Sequence, residues 1–147
     1  MELIYLDNAA STPLRKEVKE YMLDLMDGAY GNPSSTHSQG RKAKVILEAS
    51  RKSIARNLNC LPAEIVFCSG GTEGDNAAIS LALRDLKVKR IITSPLEHHA
   101  VLKAAEKWSK AFEADLILLN VDPKGRIDFE QLEQLLSSDS TPSLVSL

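Results

Sequence analysis

Apolar residues along this chain fall into two alternating patterns. Val18, Met22, Leu25 and Met26 recur at helical spacing, and Asp27-Gly28 supplies a stop. A second helix starts at Ser38 or Gly40, carries Ala43, Ile46, Ala49 or Ser50, Ile54 and Leu58 on one face with Lys and Arg on the other, and closes at Asn59. From there short β-branched runs alternate with helical ones. The pattern predicts a buried strand at Ile65 to Phe67, a helix from Thr72 to Asp85, a strand from Arg90 to Thr93, a helix from about His99 to Glu113 and a strand from Leu116 to Leu119. A turn at Pro123-Lys124-Gly125 leads to a short strand at Arg126-Ile127, then a helix through Phe129, Leu132, Leu135 and Leu136. A further buried strand begins at Ser143 to Leu147. Strands alternating with helices at these lengths predict an α/β fold with a mostly parallel sheet flanked by helices.

Two segments stand outside this alternation. Residues 1–14 start with alternating apolar positions and end in small residues and a proline, which predicts an extended N-terminal arm. Gly31 to Arg41, GNPSSTHSQGR, has no apolar period. Ordering such a loop costs entropy without core burial, so a loop of this kind inside a domain is expected to be functional. The expected division is an arm over 1–14, a helical segment with its loop over 15–60, and the first part of a sheet domain over 61–147. The run at 143–147 has no continuation, so that sheet is expected to be cut off relative to its domain.

Composition narrows the classes without choosing one. Of the 147 residues, 44% are hydrophobic and 26% charged, as in soluble globular proteins, and the net charge of −2 offers no footprint for nucleic acid or anionic lipid. Asp7 interrupts the first apolar run too soon for a signal peptide, and no later run is long enough to span a bilayer; a cytoplasmic protein is expected. Cys60 and Cys68 lack metal-ligand spacing, which argues against zinc, and two cysteines make no disulfide framework. Cys68 reads as a small buried hydrophobe in preference to a reactive thiol.

Candidate chemistry centres on Ile65 to Ile79, IVFCSGGTEGDNAAI. A strand, a Gly70-Gly71 turn and a helix opened by Thr72 as N-cap would aim free backbone N–H groups from the positive end of a helix dipole. That arrangement binds phosphate. Neither the GxxxxGK[ST] of a nucleotide P-loop nor the GxGxxG of a dinucleotide fold is present. Glu73 and Asp75, just inside the helix, read as complements to its dipole.

Four motifs, YLDNAAST (Tyr5 to Thr12), GNPSSTH (Gly31 to His37), SGGTEGDN (Ser69 to Asn76) and EHHAV (Glu97 to Val101), occur in the order and approximate spacing of the cysteine desulfurases. These are pyridoxal-phosphate enzymes of the class V aminotransferase family. The whole chain resembles the family's N-terminal arm and the first part of its large domain, and its loop resembles the iron–sulfur and nitrogenase-maturation group. The resemblance implies that Gly71 and Thr72 hold the pyridoxal 5'-phosphate phosphate. It implies that His98 stacks on the pyridine ring and helps move protons; the pattern E-H-x-A selects His98 over His99. Asn8, Ala9 and Ala10 match the arm near the substrate, or form only a turn before a helix. Asn32, Ser34 and His37 match the loop at the active-site mouth, where His37 either contacts substrate or fixes the loop.

The implied parent reaction converts L-cysteine to L-alanine and passes persulfide sulfur to an acceptor or scaffold protein, for iron–sulfur cluster or thio-cofactor assembly, in a homodimer whose cup is built by both subunits. The family's Schiff-base lysine, its carboxylate for the pyridine nitrogen and its catalytic cysteine lie later than Leu147. No lysine here sits in a Ser-x-His-Lys setting, and neither cysteine matches the catalytic loop. The chain is therefore expected to be unable to turn over alone. Two other readings stand beside a desulfurase: another class V enzyme, such as a selenocysteine lyase or aminotransferase relative, and a phosphate-binding or dimer-forming module without catalysis.

Overall fold

The computed structural model describes residues 4–147, so the predicted arm is described only from Ile4. The chain forms two compact units, Met1–Val66 and Phe67–Leu147.

In the first unit the arm closes on itself. Ala10 and Ser11 donate backbone N–H groups to the Asp7 carbonyl at 3.1 and 3.3 Å, and the Tyr5 hydroxyl lies 2.8 Å from Ser11 Oγ. Helix α1 (Lys16–Gly28) follows, with its apolar face half-buried or exposed at Val18, Met22, Leu25 and Met26. Helix α2 (Ser38–Leu58) buries Gly40, Ala43 and Ala55. It ends as expected at Asn59, whose left-handed φ of 53° suits asparagine. The loop before α2 packs closely enough to require glycine. A β-carbon on Gly40 would stand 2.4 Å from the Ser35 carbonyl oxygen, and one on Gly31 would stand 2.3 Å from that of Gln39.

The strand expected at Ile65 to Phe67 does not form. Its backbone is already engaged: Ile65 N–H donates to the Pro62 carbonyl at 3.3 Å, closing the one-turn 3-10 helix Pro62–Glu64, and the Ile65 carbonyl accepts from the Arg51 guanidinium. Val66 and Phe67 are exposed. Strand propensity needs a neighbouring ladder to become a strand. Cys68, expected to be buried, is exposed for the same reason, and its thiol donates to the Gly70 carbonyl at 3.4 Å.

The second unit is organised around β1 (Arg90–Thr93), buried at all four positions. Strand β2 (Asp115–Leu118) pairs parallel on one side, Ile91 opposite Leu116. Strand β3 (Ser143–Val145) pairs parallel on the other, Ile91 opposite Leu144, which gives the order β2-β1-β3. The α/β class and the parallel pairing are thus as expected. Helices α3 (Gly71–Arg84) and α4 (His99–Phe112) pack against each other on one face of the sheet. Between them and β1 lies a core of Ile79, Ala82, Leu83, Val88, Ile91, Val101, Ala104 and Ala105. The alanines set the close approach of the two helices.

Beyond β2, the expected turn forms around Asp122. Its carboxylate accepts from the Lys124 and Arg126 backbone N–H groups at 2.8 and 2.9 Å, and Gly125 takes a φ of 80°. The strand expected at Arg126-Ile127 is only an isolated antiparallel bridge, Val121 to Ile127, because the Asp122 turn leaves too few residues for a ladder. Helix α5 (Phe129–Ser137), capped by Asp128, leads to β3.

Candidate active site

Helix α3 starts one residue earlier than its sequence suggests. Gly70 is the N-cap, so Thr72, expected to cap the helix, is its second residue. The Glu73 carboxylate reaches back to accept from the Ser69 N–H at 2.6 Å and the Ser69 hydroxyl at 2.7 Å, which ties the residue before the N-cap to the first turn and leaves the helix's own first amides without a side-chain cap. Glu73 thus makes directed bonds in place of a general dipole effect, and they hold its carboxyl below the usual range.

A depressed folded-state pKa contributes stability that is present above the unfolded value and lost as pH falls through the folded value. Ser69→Ala, which removes the hydroxyl bond and keeps the larger contribution of the backbone N–H, is expected to raise the Glu73 carboxyl only part of the way back to its ordinary range, read from the Glu73 side-chain carboxyl resonance against pH.

The first helical backbone bond runs from Gly74 N–H to the Gly70 carbonyl at 3.1 Å, so the amides of Gly71, Thr72 and Glu73 stand ahead of the ladder. Space above them is open. A β-carbon at Gly70 would meet nothing within 4 Å, and one at Gly71 only Asp75 Oδ2 at 4.0 Å. Thr72 is exposed, and its carbonyl accepts from Asn76 Nδ2 at 2.9 Å. This turn fits a phosphate through two backbone amides, one hydroxyl and the dipole of a 14-residue helix.

His98 is the N-cap of α4, its Nδ1 accepting from Ala100 N–H at 3.1 Å. That bond fixes the ring and, in the neutral imidazole, leaves the proton on Nε2, which faces outward on an exposed residue. The loop that carries it is braced. Ser94, buried, accepts from Leu96 N–H at its hydroxyl (3.1 Å) and from Glu97 N–H at its carbonyl (3.2 Å). His99, the alternative in the motif, is the first residue of α4, its ring 6.1 Å from that of His98.

Chain direction brings the two turns to one rim of the sheet. Helix α3 returns through residues 85–89 into β1, and α4 leaves β1 through residues 94–98. Both helices therefore run against the strand, and both start at its carboxyl end, where ligands collect in such folds. Thr93, the last residue of β1, has a fully buried hydroxyl without a hydrogen-bond partner among the described residues.

The other candidates lie in the first unit. Asn8, Ala9 and Ala10 form the exposed turn closed by Asp7. Asn32 and His37 are brought together by the loop they share. Asn32 Oδ1 accepts from Ser34 N–H at 2.9 Å, and its carbonyl accepts from Ser35 N–H at 3.0 Å. His37 caps α2, with Nδ1 accepting from Gly40 N–H at 3.3 Å. Among the described residues there is no cluster fit to hold a metal ion, and no helix long and apolar enough to cross a membrane.

Comparison with known proteins bears on this geometry. Residues 4–147 match the family model described as aminotransferase class-V. The chain is 43% identical over 143 residues to the putative cysteine desulfurase IscS 1 of Bacillus subtilis, covering 95% of this chain and 37% of that one. It is 41% identical over 141 residues to the mitochondrial cysteine desulfurase of Saccharomyces cerevisiae, covering 93% of this chain and 28% of the relative. Among solved structures it superposes on a NifS-like protein with a TM-score of 0.78 at 32% identity, over 94% of this chain and 38% of the other. A second, SspA in complex with cysteine, gives a TM-score of 0.75 at 32% identity, over 93% of this chain and 39% of that one. The chain thus spans between 28% and 39% of the length of these proteins. With its residues 4–147 matched by the family model, the chain belongs to the aminotransferase class-V family, and the relatives it matches are cysteine desulfurases of the IscS and NifS kind.

Proposed function

We propose that this chain is the N-terminal part of a pyridoxal-phosphate-dependent cysteine desulfurase and that Gly71, Thr72 and His98 are its contribution to the cofactor site. One observation carries the reading: the open amides and hydroxyl at the start of α3 share a sheet rim with the His98 imidazole. When bound, pyridoxal phosphate supplies the electron-withdrawing ring that weakens bonds at the α-carbon of an amino acid. The chain's own groups bind and orient. Gly71 and Thr72 N–H and the Thr72 hydroxyl donate to the phosphate, and the dipole of α3 favours its charge. The imidazole of His98, its orientation held by the Ala100 amide, would face the cofactor ring and hold or move a proton at Nε2.

L-Cysteine is the proposed substrate of the whole enzyme, and a relative's solved structure in complex with cysteine supports it. Asn8, Ala9, Asn32 and His37 are the proposed substrate-side residues. Persulfide sulfur would pass to an acceptor or scaffold protein for iron–sulfur cluster assembly, within a homodimer. The unpaired cysteines Cys60 and Cys68 suit the reducing cytoplasm. With no lysine in the Schiff-base setting, this chain alone holds cofactor reversibly and does not turn over.

The test is titration of the purified chain with pyridoxal phosphate, followed by amide resonances, and then addition of L-cysteine. Saturable shifts at Gly71 and Thr72 without sulfide release are expected. Silence at those two amides overturns the cofactor site, and steady sulfide release overturns the assignment as a non-turning-over part.

A further inference from the structure

The geometry points to Ser146 as a positioning residue for His98, acting through Glu97. This rests on the reading of His98 as a cofactor-facing residue. The Ser146 hydroxyl donates to Glu97 Oε1 at 2.6 Å, joining residues 49 apart in the chain. Ser146 is itself fixed by the sheet, because its backbone N–H donates to the Ile92 carbonyl at 3.0 Å and continues the β1–β3 ladder past Val145. Glu97 is half-buried and immediately precedes His98.

A hydroxyl-to-carboxylate bond of this length is charge-assisted and stronger than a neutral one. It makes the edge strand a brace for the loop that presents the imidazole. Ser94 holds that loop from β1, at Leu96 and Glu97 N–H. Ser146 holds it from β3, at the Glu97 carboxylate. The Ala100 amide then sets the ring about a backbone that has been fixed twice. Among the described residues from Ser143 to Ser146, only the Ser146 side chain bonds this loop. Ser143, at the opposite end of the strand, bonds Arg90 and the Thr141 carbonyl. The brace therefore links completion of the sheet to placement of the histidine: β3 must be in register for Ser146 to reach Glu97.

The experiment follows the His98 imidazole resonances in the intact chain, with His37 as internal reference, for Ser146→Ala, Ser146→Thr, Glu97→Ala and the double variant. Ser146→Ala is expected to shift or broaden the His98 signals, leave those of His37 in place, and keep the Leu144 and Val145 amides protected. Ser146→Thr, which restores a hydroxyl, is expected to recover the native signals. Glu97→Ala should reproduce the Ser146→Ala spectrum, and the double variant should add nothing to it, since both remove one bond. Pyridoxal phosphate affinity should fall about five- to tenfold in each single alanine variant, the loss of one hydrogen bond.

Unmoved His98 signals in Ser146→Ala with the sheet intact would overturn the assignment, as would independent, additive effects of the two alanine variants. If Ser146→Ala disrupts the sheet, Glu97→Ala reads the same bond from the loop side and decides alone. His98→Ala separates this idea from the one beneath it. Unchanged cofactor affinity in that variant removes the cofactor role of His98, whereas the resonance shifts report the brace regardless.

Discussion

Thr72→Asp is expected to lower pyridoxal phosphate affinity by about a hundredfold while leaving helix α3 folded. The two effects oppose each other because the same helix end serves two anions differently. A carboxylate in the first turn complements the dipole and stabilises the helix by about 0.3–1 kcal/mol. The same carboxylate loses the hydroxyl donor and sets a negative charge against the phosphate. A hydrogen bond to a charged group is worth about 1.5–3 kcal/mol, so its loss alone accounts for about one to two powers of ten, to which repulsion adds. Thr72→Ser should bind almost as the native chain does, and Thr72→Ala should fall between.

Far-ultraviolet dichroism reports the helix, and a cofactor titration reports the site. A Thr72→Asp chain that binds as tightly as the native one would mean that the phosphate sits elsewhere. The native Glu73 carboxylate is already engaged, since it accepts from the Ser69 N–H and hydroxyl.

Arg90→Ala is expected to cost about 2–3 kcal/mol in the second unit, from lost hydrogen bonds of a charged group and lost stem packing. Arg90 is 5% exposed although it stands in the central strand. Its guanidinium donates from Nε to Ser143 Oγ at 2.8 Å and, through both terminal nitrogens, to the two Asp139 carboxylate oxygens at 3.2 Å. Asp139 in turn accepts from the Thr141 N–H at 2.8 Å, so one arginine ties the chain between α5 and β3 to the middle of the sheet.

Lysine should not replace it, because an ammonium cannot satisfy a carboxylate and a hydroxyl in that fork. The measurement is native-state amide exchange. Protection at Ile92, Leu144 and Ser146 should fall, while α2 in the first unit keeps its own. Equal losses in both units, or none at Leu144, would contradict the latch. The Thr141 amide first, and then Arg90, hold the Asp139 carboxyl below its ordinary range. Its contribution is therefore present at neutral pH and lost in acid, below the usual carboxylate pKa.

Periodicity alone located the helices, because a helix satisfies its backbone within itself and needs only one apolar stripe. The stripe Val101, Ala104, Ala105 and Trp108 of α4 and the stop at Asn59 after α2 are local signals of that sort. Strand β1, with Ile91 and Ile92 flanked by helices on either side in sequence, was equally plain. The four short motifs that carry the family resemblance are local sequence too, and Gly71, Thr72 and His98 stand within them.

What lay beyond the sequence were the bonds whose partners are remote or already taken. Ile65 to Phe67 has the composition of a strand, but whether it becomes one depends on a ladder that the Pro62 turn and Arg51 forestall. Helix α3 begins at Gly71 with Gly70 as its N-cap, and Glu73 bonds back to Ser69, a choice between local alternatives that only the folded geometry resolves. Arg90 and Asp139 are 49 residues apart, as are Glu97 and Ser146, and no periodicity joins such pairs. The chain's order of residues thus determined its helices, its central strand and the chemical character of its glycine turn, which depend on neighbours a few positions away. The tertiary structure decided which strand candidate found a ladder, which buried charge found a partner and how the histidine loop is held, because those energies exist only once distant segments share a surface.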